Sequence, residues 1–252
     1  VSDILAQVRE GGDDAVLKLT RQFDDANASQ LLMTAQQRQA LIAALTPKVK
    51  AAIDTAYATI RRFHQQQRPR DLKVETAPGV VCESRYVALQ SVGLYIPGGT
   101  ATLPSTALML GVPAQIAGCQ RKVLVTPPAK DGSIPAAIAY VAELCEIDDI
   151  LLCGGAQAIA ALAYGTESVE PVDKIFGPGN AFVTEAKQQV SQDQSGVAID
   201  MPAGPSELLV IADDSASPAF VAADLLSQAE HGADSQVILL TPSESLAAQV
   251  RE

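Results

Sequence analysis

From Ser91 onward the chain alternates between short apolar runs and amphipathic stretches. The runs are SVGLYIP, KVLVTPP, DILLCGG, DKIFGPG, ELLVIAD and QVILLTP. Between them lie TALMLGVPAQIAG, PAAIAYVAELCE, AQAIAALAYG, NAFVTEAKQQVSQ and SPAFVAADLLSQAEHG, which carry helical periodicity. Parallel strands need crossover connections of this length, usually helices, and unbroken apolar runs belong to strands covered on both faces. This alternation predicts βαβ units and a buried parallel sheet over residues 91–252, an α/β fold.

Residues 1–90 read differently. SDILAQVREGGDDAVLKLTRQF has apolar residues at roughly helical spacing, and Gly11-Gly12 marks a break between two helices. Thr34 is placed to cap AQQRQALIAAL, and Pro47 suits the first turn of a helix running to about Gln66. KVETAPGVVCESRYVAL then sets β-branched runs on either side of Pro78-Gly79, the pattern of a hairpin. The expected organisation is a helical N-terminal lead-in with a hairpin, 1–90, followed by an α/β region from 91.

Charge excludes one class of partner. The net charge is −11, and phosphate backbones need clustered Lys and Arg. The one basic knot, RRFHQQQRPRDLK (61–73), sits beside a helix end and reads as a solvated face, with His64 on the surface. Cys82, Cys119, Cys145 and Cys153 form no CxxC pair, so buried free thiols are expected rather than a disulfide framework or a cysteine zinc site. No apolar run reaches the ~18 residues of a membrane span. A soluble protein of a reducing compartment, the cytoplasm, is expected. The sequence starts without Met and stops inside SESLAAQVRE, a helix just begun, so both ends read as cut.

In open parallel sheets, ligands collect at the carboxyl ends of the strands. Four Gly-rich turns fall there: YIPGGT (95–100), CGGAQA (153–158), FGPGNA (176–181) and MPAGPSE (201–207). They let a backbone approach a ligand and expose helix N–H groups, although turns before helices favour glycine in any case. A dinucleotide GxGxxG fingerprint is not met, because Phe182 stands where the third Gly belongs, and no P-loop occurs. Asp224, Gln228 and His231 share one face of a helix at i, i+4 and i+7. Spacing alone leaves two readings: a metal site, or a helix end on which His231 meets the negative pole and Gly232 closes the turn.

The segments SVGLYIPGGTA, GGAQAIAALAYGTESV, VDKIFGPGNAFVTEAK, IDMPAGPSELLVIAD and DLLSQAEHGADSQVILLT closely resemble the histidinol dehydrogenase family, in the family's order. The resemblance implies a Rossmann-like α/β region and a zinc- and NAD-dependent enzyme. Its reaction is oxidation of L-histidinol to L-histidine through the aldehyde, in histidine biosynthesis. It implies NAD contacts at Tyr95, Gln157 and Asn180, a substrate contact at Ser206, and zinc ligation with substrate contact at Gln228 and His231. It also implies a cytoplasmic homodimer. The family's Glu-His pair of catalytic bases, and its other two zinc ligands, fall beyond residue 252. The chain is therefore expected to be a C-terminally truncated piece, inactive alone, binding zinc weakly and exposing an apolar face. A non-catalytic nucleotide-binding or assembly module is the alternative, distinguished by the intact mass from the native source.

Overall fold

The structure, a computed structural model, describes residues 1–24, 27–98, 103–194, 196–202, 207–230 and 235–252. Two compact units are distinguished, Val1–Pro202 and Ala203–Glu252.

The first unit opens with α1 (Ser2–Phe23), α2 (Ala35–Ala44) and α3 (Pro47–Gln66). The expected break in α1 is a kink at Gly12, whose φ of 51° is open to glycine and strained for other residues. The kink is held from outside. The Glu167 carboxylate accepts the Asp13 N–H at 2.7 Å, and Asp13 in turn accepts from the backbone and hydroxyl of Ser168. Thr34 caps α2 in a complete capping box: its hydroxyl accepts the Gln37 N–H, and Gln37 Oε1 accepts the Thr34 N–H at 2.9 Å. Pro47 occupies the first turn of α3. The hairpin forms as expected, β1 (Leu72–Ala77) against β2 (Val80–Ser84), antiparallel around the Pro-Gly turn.

The sheet consists of β3 (Ser91–Tyr95), β4 (Arg121–Thr126), β5 (Asp149–Leu152), β6 (Lys174–Phe176) and the two-residue β7 (Ala198–Ile199). All pairs are parallel, in the order β5-β4-β3-β6-β7. The intervening helices are α4 (Pro104–Ala117), α5 (Ala136–Leu144), α6 (Gly155–Tyr164) and α7 (Ala181–Gln192). The period of two sorts the strand side chains between two cores. Val92, Leu94, Leu124, Ile150 and Leu152 pack with α2, α3, α4 and α5. Tyr95, Val123, Val125, Leu151 and Cys153 pack with α1, α6 and α7. The N-terminal helices are thus part of the layers: α1 lies on α6, α2 on α5 and α3 on α4.

The second unit holds β8 (Glu207–Ile211), α8 (Pro218–Ala229), β9 (Gln236–Leu240) and α9 (Glu244–Arg251). β8 and β9 are parallel with α8 between them, one βαβ unit. The sequence predicts one run of parallel strands; the structure divides them into a five-stranded and a two-stranded sheet.

One thiol departs from expectation. Cys119, Cys145 and Cys153 are buried, but Cys82 is exposed, as is every residue of both hairpin strands. An apolar face is also present on the small sheet. Leu209, Ile211, Ile238 and Leu240 are exposed and lie as paired neighbours, Leu209 beside Ile238 and Ile211 beside Leu240. Two strands alone seldom suffice to cover such a face. The 252-residue chain is therefore expected to self-associate with rising concentration, and Leu209→Lys with Ile238→Glu to suppress this. Light scattering that shows a monomer throughout would count against it. Among the described residues, no helix is long and apolar enough to cross a membrane.

Candidate cofactor cleft

The chain leaves β3 for β4 and β5 on one side, then returns to β6 and β7 on the other. Diverging connections open a crevice where the order reverses, at the carboxyl ends of β3 and β6. A cleft of about 780 Å³ lies there, within the first unit. It is lined by Tyr95 at the end of β3 and Pro97 beyond it, Pro127 and Lys130 after β4, Gln157 at the start of α6 and Asn180 before α7. The three residues singled out as NAD contacts, from separate turns of the sequence, therefore share one cavity. Its volume falls in the range of small-molecule and cofactor sites, about 300–1,000 Å³.

Each polar group is set by its local role. Tyr95 is 3% exposed, and its hydroxyl oxygen accepts the Gly155 N–H at 3.1 Å. Burial, more than any neighbouring charge, pushes its phenol up to about 12, so it keeps its proton at neutral pH and remains a donor. Asn180 caps α7, Oδ1 accepting the Val183 N–H at 3.0 Å, which leaves its amide NH₂ to offer a ligand. Gln157 is buried, and its Nε2 donates to Asp24 Oδ2 at 3.2 Å.

Asp24, which no local pattern marks, is the C-cap residue of α1 and lines the same cleft. Its Oδ2 also accepts the Gly154 N–H at 3.1 Å. Desolvation raises its pKa, partly opposed by the bonds from Gly154 and Gln157. The turn carrying Asn180 has a second support that the sequence reading missed. Lys187 of α7 is buried, donates to the Gly177 carbonyl at 2.9 Å and pairs with Asp200, which accepts the Gly177 N–H at 2.7 Å. A sequence signal for Lys187 did exist: it shares the spacing of Val183, Ala186 and Val190, the buried face of α7.

The chain belongs to the histidinol dehydrogenase family. The model of that family, Histidinol dehydrogenase, matches residues 1–252. The histidinol dehydrogenase of Idiomarina loihiensis is 69% identical over 252 residues, covering all of this chain and 57% of that protein. That of Vibrio vulnificus (strain CMCP6) is 59% identical over 252 residues, covering all of this chain and 58% of its own length. The crystal structure of histidinol dehydrogenase from Elizabethkingia anophelis superposes with a TM-score of 0.91 at 48% identity, covering 99% of this chain and 57% of that one. The α/β fold agrees with that structure. The chain spans somewhat more than half the length of these family members.

The other sites implied by the family resemblance are less fully described. Ser206 and His231 lie outside the described residues, as do 99–102 of the first Gly-rich turn. Gln228 is on α8, its Nε2 donating to Ser235 Oγ at 3.3 Å, with Asp224 one turn earlier on the same helix. Among the described residues no group of three or more His, Cys, Asp or Glu could hold a metal. Zinc ordinarily takes four ligands, so the described residues do not make up a zinc site.

Proposed function

We propose that the whole protein containing this chain is a cytoplasmic, homodimeric enzyme that oxidises L-histidinol to L-histidine using NAD. The observation that carries this reading is the convergence of Tyr95, Gln157 and Asn180 on one cleft at the reversal of strand order. The group chemistry fits a dinucleotide: a phenol O–H and an amide NH₂ as donors, a second amide as acceptor, and rigid supports behind each. NAD supplies the hydride acceptor when bound. The residues of this chain bind and orient it. Tyr95, protonated at neutral pH, donates without acting as a base, and Asn180 and Gln157 fix the remaining polar edges.

Ser206 contacts the substrate in this proposal. Gln228 and His231 hold part of a zinc site that anchors substrate in the whole enzyme, zinc being redox-inert. The deciding experiment is the absorbance of NADH on adding histidinol to the whole protein, expected to rise by two NADH per histidinol, an alcohol-to-acid oxidation. No histidinol-dependent rise overturns the proposal.

A further inference from the structure

Two glutamines occupy the third position of a helix in this fold, and they do different things. In α2, Gln37 turns its Oε1 back onto the backbone N–H of its own N-cap, Thr34. In α6 the N-cap is Gly154, which has no side chain, and Gln157 stands at the equivalent place. Left alone, Gln157 would satisfy the Gly154 N–H as Gln37 does for Thr34. It does not, because Asp24 has taken that donor from 130 residues away, while the Tyr95 hydroxyl takes the Gly155 N–H. The same Asp24 oxygen accepts from Gln157 Nε2. A carboxylate only accepts, so the amide must present its NH₂ to Asp24 and turn its carbonyl the other way. Gln157 Oε1 makes no hydrogen bond among the described residues.

We propose that Asp24 is a positioning residue for cofactor binding. By accepting the Gly154 N–H in place of Gln157 and holding Gln157 Nε2, it reserves Gln157 Oε1 as an acceptor for a donor group of the dinucleotide. This rests on the reading of Gln157 as an NAD contact. It also assigns a role to α1, which contributes Ile4, Phe23 and Asp24 to the cleft wall.

The test is NAD affinity of the whole protein by calorimetry, with thermal unfolding as a control. Gln157→Ala is expected to raise the Kd about tenfold, the effect of one hydrogen bond in a buried site. Asp24→Ala should do the same, because Gln157 then falls back on the Gly154 N–H. The double variant should be no worse than either single one, and Asp24→Asn, which keeps an acceptor, should stay within about threefold of the parent. A Kd unmoved by Gln157→Ala sinks the reading of Gln157. A Kd moved by Gln157→Ala but not by Asp24→Ala, or additive losses in the double variant, sinks the role of Asp24 alone.

A compensating pair covers the case in which Asp24→Ala does not fold. Gln157→Glu sets two carboxylates face to face and should weaken NAD binding, and adding Asp24→Asn should restore it. Failure of that restoration overturns the proposal.

Discussion

Gly177→Ala is expected to unfold the first unit or cost it about 3 kcal/mol or more, and to abolish NAD binding in whatever remains folded. Gly177 has φ of 122°, a region closed to alanine without strain. An added Cβ would stand 2.2 Å from the Tyr95 carbonyl oxygen, 3.0 Å from the carbonyl carbon and 3.1 Å from the Tyr95 nitrogen. The obstacle is the backbone of β3, the central strand, which is paired on both sides and cannot yield. The glycine thus lets the end of β6 pass directly over the residue that lines the cleft. Chemical denaturation measures the first effect and calorimetry with NAD the second. A loss below about 0.5 kcal/mol, the size of an ordinary surface substitution, would contradict this account.

Lys187→Met is expected to cost about 3 kcal/mol, the second largest effect. Lys187 is 2% exposed and supplies both the partner of Asp200 and the donor to the Gly177 carbonyl. Removing one member of a buried pair leaves the other charge uncompensated, typically a loss of 3–5 kcal/mol. The lower end applies here, because the Asp200 side chain retains 26% exposure and water can solvate part of its charge. The apolar replacement in turn fills the buried face of α7 that Lys187 shares with Val183 and Val190. Adding Asp200→Asn should recover part of the loss, since the uncompensated charge is then gone while an acceptor for the Gly177 N–H remains. Urea unfolding of the two variants decides it. Equal or greater loss in the double variant would show that the charge left on Asp200 is not the cause.

These two residues show why the site was legible only in outline. Tyr95, Gln157 and Asn180 stand in Gly-rich turns at strand ends, so the resemblance and the fold rule point to the same places. Gly177 was visible as part of FGPGNA, but its need for a left-handed backbone depends on Tyr95 passing beneath it, 82 positions earlier. Lys187 shares the spacing of the apolar positions of α7, but its pairing with Asp200 and its bond to the Gly177 carbonyl exist only because α7 turns that face inward. Asp24 carried no signal at all. Its role exists because α1 packs on α6 and ends beside Gly154, a contact between segments with nothing local in common.

Local chemistry decided the elements. The break at Gly12, the cap at Thr34, the start at Pro47, the hairpin at Pro78-Gly79 and the alternation from Ser91 all act within a few residues, where propensity and periodicity operate. By itself, then, the sequence determined an α/β chain with parallel strands, Gly-rich turns at their ends and a close likeness to histidinol dehydrogenases. Tertiary structure alone decided the order β5-β4-β3-β6-β7 and the separation of β8 and β9 into their own sheet. It also decided which polar groups were spent on the fold and which were left to a ligand. Asp24 takes the Gly154 N–H and Gln157 does not, because hydrogen-bond partners are assigned by distance in space, and a chain's own order does not contain those distances.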